Sequence, residues 1–319
     1  MAGRRGAVLQ AAQSSVESRF VRCILFRTLI VHLIDGTYEL FRHFYGIRRM
    51  KKGDPPFGAV RGVLHMVLQM IEGGATHIGV ATDHVIESFR NELWSGYKTG
   101  AGIDRALWAQ FHPLEEALAA MGVVVWPMIE LEADDALASA AALAAADDSV
   151  VRVSIWTPDK DLAQCVVGDR VVQVDRKSGK IRDAAGVQEK FGVEPESIPD
   201  YLALVGDAAD GYPGIPRFGA KTAARVLSRF RHIDAIPDDI IGKYREDALL
   251  FLRLATLRTD AELFDSVEAL RWRGPSSSFA ALAERIDAPE LISRADRAAT
   301  NLRHAIPEDR PRGAVRSRG

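Results

Sequence analysis

Leu131 to Asp148 read LEADDALASAAALAAADD, so that Glu132, Asp134 and Asp135 stand within four positions at the start of an alanine-rich helix. One acid in a first helical turn is favoured by the positive end of the helix dipole, by roughly 0.3–1 kcal/mol. Three side by side repel one another. More acids close apolar segments elsewhere: Asp35 ends LIVHLID, Asp83 ends HIGVATD, and Asp159 ends VRVSIWTPD, with Asp161 two residues on. Asp207 and Asp210 follow in GDAAD. Unpaired buried carboxylates simply protonate, and no matching set of lysines is interleaved with these nine acids. Hard divalent cations with oxygen ligands are their natural counter-charge. Two magnesium ions about 4 Å apart can bind an attacking water and a leaving oxygen across a phosphodiester. Singly, each acid reads as a cap or a solvated residue; caps do not explain all the strand-end acids together with GDAAD. A haloacid-type phosphatase would carry DxD right after its first strand, which Asp35-Gly36-Thr37 does not supply.

The elements must bring these acids together. LIVHLID (29–35), HIGVATD (77–83), VVVW (123–126) and VRVSIWTPD read as strands. Gly58 to Glu72 reads as a helix with Val60, Val63, Leu64, Val67, Leu68 and Ile71 on one face. Asp104 to Met121 and Asp238 to Leu257 read as further long helices, and VVQVD with RKSGK as a strand and hairpin near 171–181. Strands alternating with helices predict an α/β fold with a mostly parallel central sheet. Ligands collect beyond the carboxyl ends of such strands. Asp35, Asp83 and Asp159 stand there, and the helix opening at Glu132 faces the same rim. After residue 196 the pattern changes to helices and short turns.

Composition narrows the class. The chain has 319 residues, 47% hydrophobic, with no run near the roughly 20 apolar residues of a membrane helix. Cys23 and Cys165 form no disulfide framework, which suits a reducing cytoplasm. The eight histidines show no HxH or HExxH pattern and point to no zinc site. Residues 1–29 carry +4 and residues 303–319 carry +3, leaving −9 elsewhere for a net charge of −2. On net charge alone the acidic body is not a nucleic-acid binder; the placement of charge must decide. The first 29 residues lack periodicity and read as a floppy extension or an over-long translated start rather than a signal or transit peptide.

VHLIDGTYELFR, SFRNELWSGYK, LEADDALAS, TPDKDLAQ and LVGDAADGYPGIPRFGAKTA occur in the order and spacing of the 5′-nuclease family. These motifs make the chain resemble the flap endonucleases and 5′–3′ exonucleases, including the N-terminal domain of bacterial DNA polymerase I, in a free-standing form. The resemblance covers roughly residues 30 to 235. It implies a PIN-like core followed by a helical helix-hairpin-helix region. The expected division is an extension at 1–29, a catalytic domain at 30–196, a DNA-binding region at 197–290 and a basic tail at 291–319.

The resemblance also assigns roles. Asp83, Glu132, Asp134 and Asp159 match ligands of a first metal, and Asp161, Asp207 and Asp210 those of a second. Asp35 and Asp135 lie between and support both. Arg90 and Lys98 match basic residues at the gateway, with Lys98 meeting the scissile phosphate. The family commonly has an arginine where Ala101 stands, and Arg105 is the candidate substitute. Tyr97 is placed to stack on a base, and Gly96, Gly100 and Gly102 suggest a mobile gateway.

For duplex DNA, GIPRFGAKTA offers backbone N–H groups at a helix N-terminus, with Gly214, Gly219, Lys221, Thr222 and Arg225 holding phosphates without reading bases. Lys221, Arg225 and Arg229 recur every four residues and share a face. A solvated basic helix is the plainer reading of the same pattern. The family usually has glycine at Arg217 and asparagine at Gly211, which bears on a potassium ion held by the turn. Arg42 matches a DNA-contacting position. Arg48, Arg49, Lys51 and Lys52 read as loop charges over the entrance, and Tyr38, Phe41, Phe44 and Tyr45 as core.

The expected protein is thus a cytoplasmic, nucleoid-associated, monomeric nuclease of DNA replication and repair. It would use two Mg2+, with Mn2+ as substitute, on DNA with a 5′ flap, overhang or branch. The alternative is a DNA-structure-binding relative that has lost cleavage. A toxin-like RNase with a related sheet is set aside, because such chains are much shorter and lack the hairpin region.

Overall fold

The computed structural model describes residues 29–50 and 55–305. The N-terminal extension up to residue 28, Lys51, Lys52 and everything after residue 305 lie outside the described residues.

The α/β part opens with β1 (Leu29–Asp35), α1 (Gly36–Met50), α2 (Gly58–Glu72) and β2 (His77–Asp83). Three short helices follow, α3 (Phe89–Leu93), α4 (Arg105–Trp108) and α5 (Phe111–Ala120), then β3 (Val124–Met128), α6 (Ala133–Ala145) and β4 (Val150–Trp156). The hairpin β5 (Val171–Asp175) and β6 (Lys180–Arg182) completes one six-stranded sheet in the order β3-β2-β1-β4-β5-β6. All neighbours are parallel except β5 and β6. β2 is buried from His77 to Thr82, as expected of a parallel strand covered on both faces. α6 packs one face of the sheet: Ala133, Ala136, Leu137, Ala140, Ala141 and Ala144 join Val31, Leu33, Val153 and Ile155 in one apolar cluster. Small side chains let this helix approach closely. The apolar face of α2 covers the other side with Ile34, Ile78 and Val80.

The helical part comprises α7 (Ala184–Phe191), α8 (Ile198–Val205), α9 (Ala220–Phe230), α10 (Asp238–Ile241) and α11 (Arg245–Ala255). These share a separate apolar cluster, which includes Val187, Leu202, Leu204, Ala223, Leu227, Phe251 and Leu254. The chain then returns to the α/β core with α12 (Phe279–Arg285) and α13 (Glu290–Ala305). Val267 and Leu270 already pack with β1 and β4, and Trp272 and Phe279 with α2.

Three expectations need correction. The basic tail expected from residue 291 is, as far as residue 305, the helix α13. Leu291, Ala295, Ala298 and Ala299 bury a stripe beside α2, and Arg294 pairs with Glu72 at 2.7 Å. Its arginines mask an i, i+4 apolar pattern. The helix expected from Asp104 to Met121 is two, α4 and α5. Pro113 lacks the N–H that a continuous helix would need there, and Gln110 between them accepts the Ala59 N–H at 3.0 Å. The helix expected from Asp238 to Leu257 breaks at Gly242, whose φ of +53° ends α10.

Candidate active site

The carboxylates sit at one rim. Asp35 ends β1, where its Oδ1 accepts the Tyr38 N–H at 2.8 Å and its Oδ2 a bond from Thr157 Oγ1 at 3.1 Å. Asp83 ends β2 and accepts the Ala133 N–H of α6 at 2.8 Å, which ties the strand end to the helix start. Glu132 caps α6 and Asp134 lies in its first turn. β4 stops at Trp156, so Asp159 stands on the following turn and not on the strand; its Oδ1 accepts the Asp161 N–H at 2.9 Å. Asp207 and Asp210 come from the loop after α8, closed by the Ala209 N–H on Asp207 Oδ1 at 2.9 Å.

Burial and mutual repulsion govern their charge. Burial, resisted by the Tyr38 N–H and reinforced by Asp83 and Asp159, pushes Asp35 up to about 7. Burial followed by the charges of Asp159 and Asp35 takes Asp134 well above the usual carboxylate range. Burial and then Asp159, Asp210 and Asp207 do the same to Asp161. Asp83 and Asp210 are raised by burial against the opposing charge of Lys98. These acids therefore feel one another across elements far apart in sequence.

Asp161, Asp207 and Asp210 each offer an oxygen within 4.8 Å of the others. Asp161 Oδ1 is buried without a hydrogen-bond partner, and so is the Tyr212 hydroxyl. The three neighbouring acids, after burial itself, raise the Tyr212 pKa. A buried acceptor without a donor, among carboxylates spaced like this, fits a hard cation with bonds of about 2.1 Å after slight closure.

Two lysines reach the acids. Lys98 Nζ lies 2.8 Å from Glu132 Oε2 and 3.1 Å from Asp210 Oδ1, and so bridges the two groups of acids. Burial works against its charge, but Glu132 and Asp210 hold its pKa well above the usual lysine value. Burial likewise opposes the Glu132 carboxylate, yet Lys98 and Arg90 keep its pKa low. Lys160 Nζ sits 2.7 Å from Asp207 Oδ2. Lys160 is a residue that sequence reasoning missed: within TPDKDLAQ it reads as a mere spacer. Ser88, whose Oγ donates to Glu132 Oε1 at 2.6 Å, was missed too; its only signal is an N-cap position before FRNEL.

Three expected site residues are buried behind Glu132. Arg90 is not at the gateway mouth but 1% exposed. Its guanidinium makes two 2.7 Å bonds to Asp135 and one of 2.8 Å to the Leu254 carbonyl, and lies 3.2 Å from Glu132 Oε1, so it backs that acid from the buried side. Asp135 faces Arg90 and accepts the Glu132 and Arg258 N–H groups at 3.0 and 2.9 Å, so it does not face the other acids. The pair joins α3, α6 and the end of α11 beneath the site. Tyr97 is 4% exposed, with its hydroxyl 3.3 Å from Glu132 Oε2, and offers no face for a base.

The candidate DNA-facing residues lie on the helical part. Lys221, Arg225 and Arg229 are exposed along α9, whose opposite side buries Ala223 and Leu227. Gly219 is the N-cap and Thr222 lies in the first turn. Gly214 has φ +69°, and Arg217 has φ +73°, a left-handed position held by a side chain other than glycine. Arg217, Thr222, Arg225, Arg229 and Lys243 line a cavity of about 640 Å³ beside the turn. Gly211 has φ +85°, and a Cβ there would stand 2.0 Å from the Gly96 carbonyl oxygen. Asparagine does not fit this backbone, because the gateway segment docks against it: the Lys98 N–H donates to the Asp210 carbonyl at 3.0 Å and Trp94 Nε1 to the Gly211 carbonyl at 3.0 Å. Arg42 is partly buried and donates to Glu39 through Nε at 2.9 Å. Phe44 is core, whereas Tyr45 is exposed.

Residues 30–192 match the sequence model of a family described as "5'-3' exonuclease, N-terminal resolvase-like domain", and residues 193–278 match "5'-3' exonuclease, C-terminal SAM fold". The chain is 35% identical over 259 residues to DNA polymerase I of Pseudomonas aeruginosa, covering 75% of this chain and 28% of that protein. It is 30% identical to the 5'-3' exonuclease of Aquifex aeolicus, covering 77% of this chain and 87% of that protein. Among solved structures, the bacteriophage T5 D15 protein co-crystallized with metal ions superposes with a TM-score of 0.60 at 19% identity, covering 83% of this chain and 99% of the other. Flap endonuclease-1 from Methanococcus jannaschii superposes at 0.55 and 15% identity, covering 87% and 94%.

Proposed function

Because the chain belongs to the 5′–3′ exonuclease family, we propose that it cleaves DNA phosphodiesters near 5′ ends and branch points, as an exonuclease and flap endonuclease of replication and repair. The observation that carries this reading is the buried, partnerless Asp161 Oδ1 beside Asp207 and Asp210. Asp161, Asp207 and Asp210 hold one divalent ion; Asp83, Glu132, Asp134 and Asp159 hold the other, with Asp35 supporting both. Magnesium is the resident ion and manganese can replace it. When bound, such ions lower the pKa of water and neutralise charge on the phosphate. No side chain is then needed as a general base.

The chain's own residues bind and orient. Lys98, now shared between Glu132 and Asp210, turns to the scissile phosphate once those acids have a cation, and holds the charge that develops there. Arg90 and Asp135 keep the start of α6 in place from below. Lys221, Thr222, Arg225 and the backbone at Gly214 and Gly219 grip duplex phosphates, with a potassium ion at the turn and Arg42 touching the strand. The protein works as a monomer in the cytoplasm; among the described residues no helix is long and apolar enough to cross a membrane.

A labelled 5′-flap duplex incubated with the protein, with Mg2+ or with chelator, tests this. Cutting that needs Mg2+ and leaves a 5′-phosphate is expected. Tight binding without cutting under any divalent ion would instead favour a relative that has lost the reaction.

A further inference from the structure

Away from the acid rim, His84, His112 and Glu115 each offer a ligand atom within 4.8 Å of the others. His84 Nδ1 lies 2.8 Å and His112 Nδ1 3.6 Å from Glu115 Oε2, and the two imidazole rings are 4.4 Å apart between centroids. We infer that this trio is a binding site for one divalent transition-metal ion of the zinc class.

Five observations converge. Two imidazoles and one carboxylate are a borderline donor set, which suits zinc and not magnesium. In a tetrahedral site with bonds of about 2.0–2.1 Å, neighbouring ligand atoms stand about 3.3 Å apart, and the two measured spacings bracket that value. Glu115 is buried, and among the described residues its only ion-pair partners are these two histidines, so no arginine or lysine competes for Oε2. Its other oxygen, Oε1, is held by Thr82 Oγ1 at 2.8 Å, the kind of support that orients a ligating carboxylate. His84 and His112 remain partly open to solvent, which leaves an entry path and a fourth position for water.

Coordination displaces the proton between His84 Nδ1 and Glu115 Oε2. The ion then ties α5, which carries His112 and Glu115, to the residue after β2. That residue directly follows Asp83. The sequence shows no zinc pattern because His84 lies 28 positions before His112, and only His112 and Glu115 share a helical face.

The test uses the full chain in excess Mg2+, with Asp134→Asn/Asp159→Asn/Asp161→Asn/Asp210→Asn as the parent so that neither group of the acid rim takes up the probe. Equilibrium dialysis with Zn2+, and Co2+ as an optical probe, should give one bound equivalent with a tetrahedral cobalt spectrum. His112→Ala and His112→Gln alter a side chain that is 56% exposed and should fold as the parent does. Both should lose the equivalent. Thr82→Val should weaken Zn2+ binding about tenfold to a hundredfold. Zinc should also raise the melting temperature of the parent but not of the His112 variants. An equivalent retained in both His112 variants, an octahedral cobalt spectrum, or no bound ion in the parent would overturn the assignment.

Discussion

Lys98 Nζ lies 2.8 Å from Glu132 Oε2. This contact sets a lysine from the gateway against the cap of α6, and a further 3.1 Å contact with Asp210 extends it to the loop after α8. Without a divalent ion, Lys98 is the cation that holds the two groups of acids together.

Replacing it should therefore separate chemistry from binding. Lys98→Ala is expected to lower kcat on a 5′-flap substrate by about 10²–10³, the effect of removing one aimed donor, with KM little changed. Steady-state kinetics at saturating Mg2+ check this; a rise in KM at unchanged kcat would assign Lys98 to binding alone.

Arg90 should behave differently. Arg90→Ala leaves Asp135 buried and unpaired, and such a break typically costs about 3–5 kcal/mol. Urea unfolding should show a loss of that order, while Arg90→Ala/Asp135→Ala recovers part of it. Full stability in the single variant would contradict the supporting role given to this pair.

The acid cluster gives a pH dependence with a definite sign. Burial first, with Asp83 and Asp159 adding to it, raises Asp35 from 3.8 to about 7, and Asp83, Asp134, Asp161 and Asp210 are raised as well. A carboxyl with a raised native pKa binds more protons folded than unfolded. Its contribution is fully present below about pH 4 and is lost as pH rises through about 7. In chelator, the melting temperature should fall between about pH 5 and pH 8, and saturating Mg2+ should flatten that slope. Calorimetry in both conditions checks it; an equal slope with and without Mg2+ would contradict it.

Arg217 occupies a left-handed backbone position, φ +73°, which is unfavourable by about 1–2 kcal/mol for a side chain other than glycine. Arg217→Gly should raise stability by about 1 kcal/mol. It should also reduce the slope of log K against log salt for duplex binding by about 0.9, the release expected of one phosphate contact. An unchanged slope would remove Arg217 from the DNA face.

Much of this was legible in the residues because the strand signals are local. LIVHLID, HIGVATD and Gly58 to Glu72 form the expected elements with the expected bounds, since continuous apolar runs and a 3.6-residue stripe need no tertiary information. That Asp35 and Asp83 share a rim with the start of α6 followed from strand ends and a helix start facing the same way, whereas Asp161 and Asp210, which lie on turns, were placed only by the resemblance. What could not be read is where long side chains turn. Arg90 and Lys98 look alike in SFRNELWSGYK and both reach Glu132, yet Arg90 turns inward to Asp135 while Lys98 spans to Asp210. Tyr97, beside Lys98, is drawn into the apolar cluster of the helical part. α13 was hidden because Arg294, Arg297 and Arg303 interrupt the small residues that bury its stripe.

The claim on which the rest stands is that carboxylates from distant segments hold the ions that perform hydrolysis. Asp134→Ala/Asp159→Ala, assayed in parallel for 5′-flap binding and for single-turnover cleavage in Mg2+, tests it most directly. Binding close to that of the wild type with cleavage abolished is the predicted result. Cleavage at the wild-type rate would contradict the account.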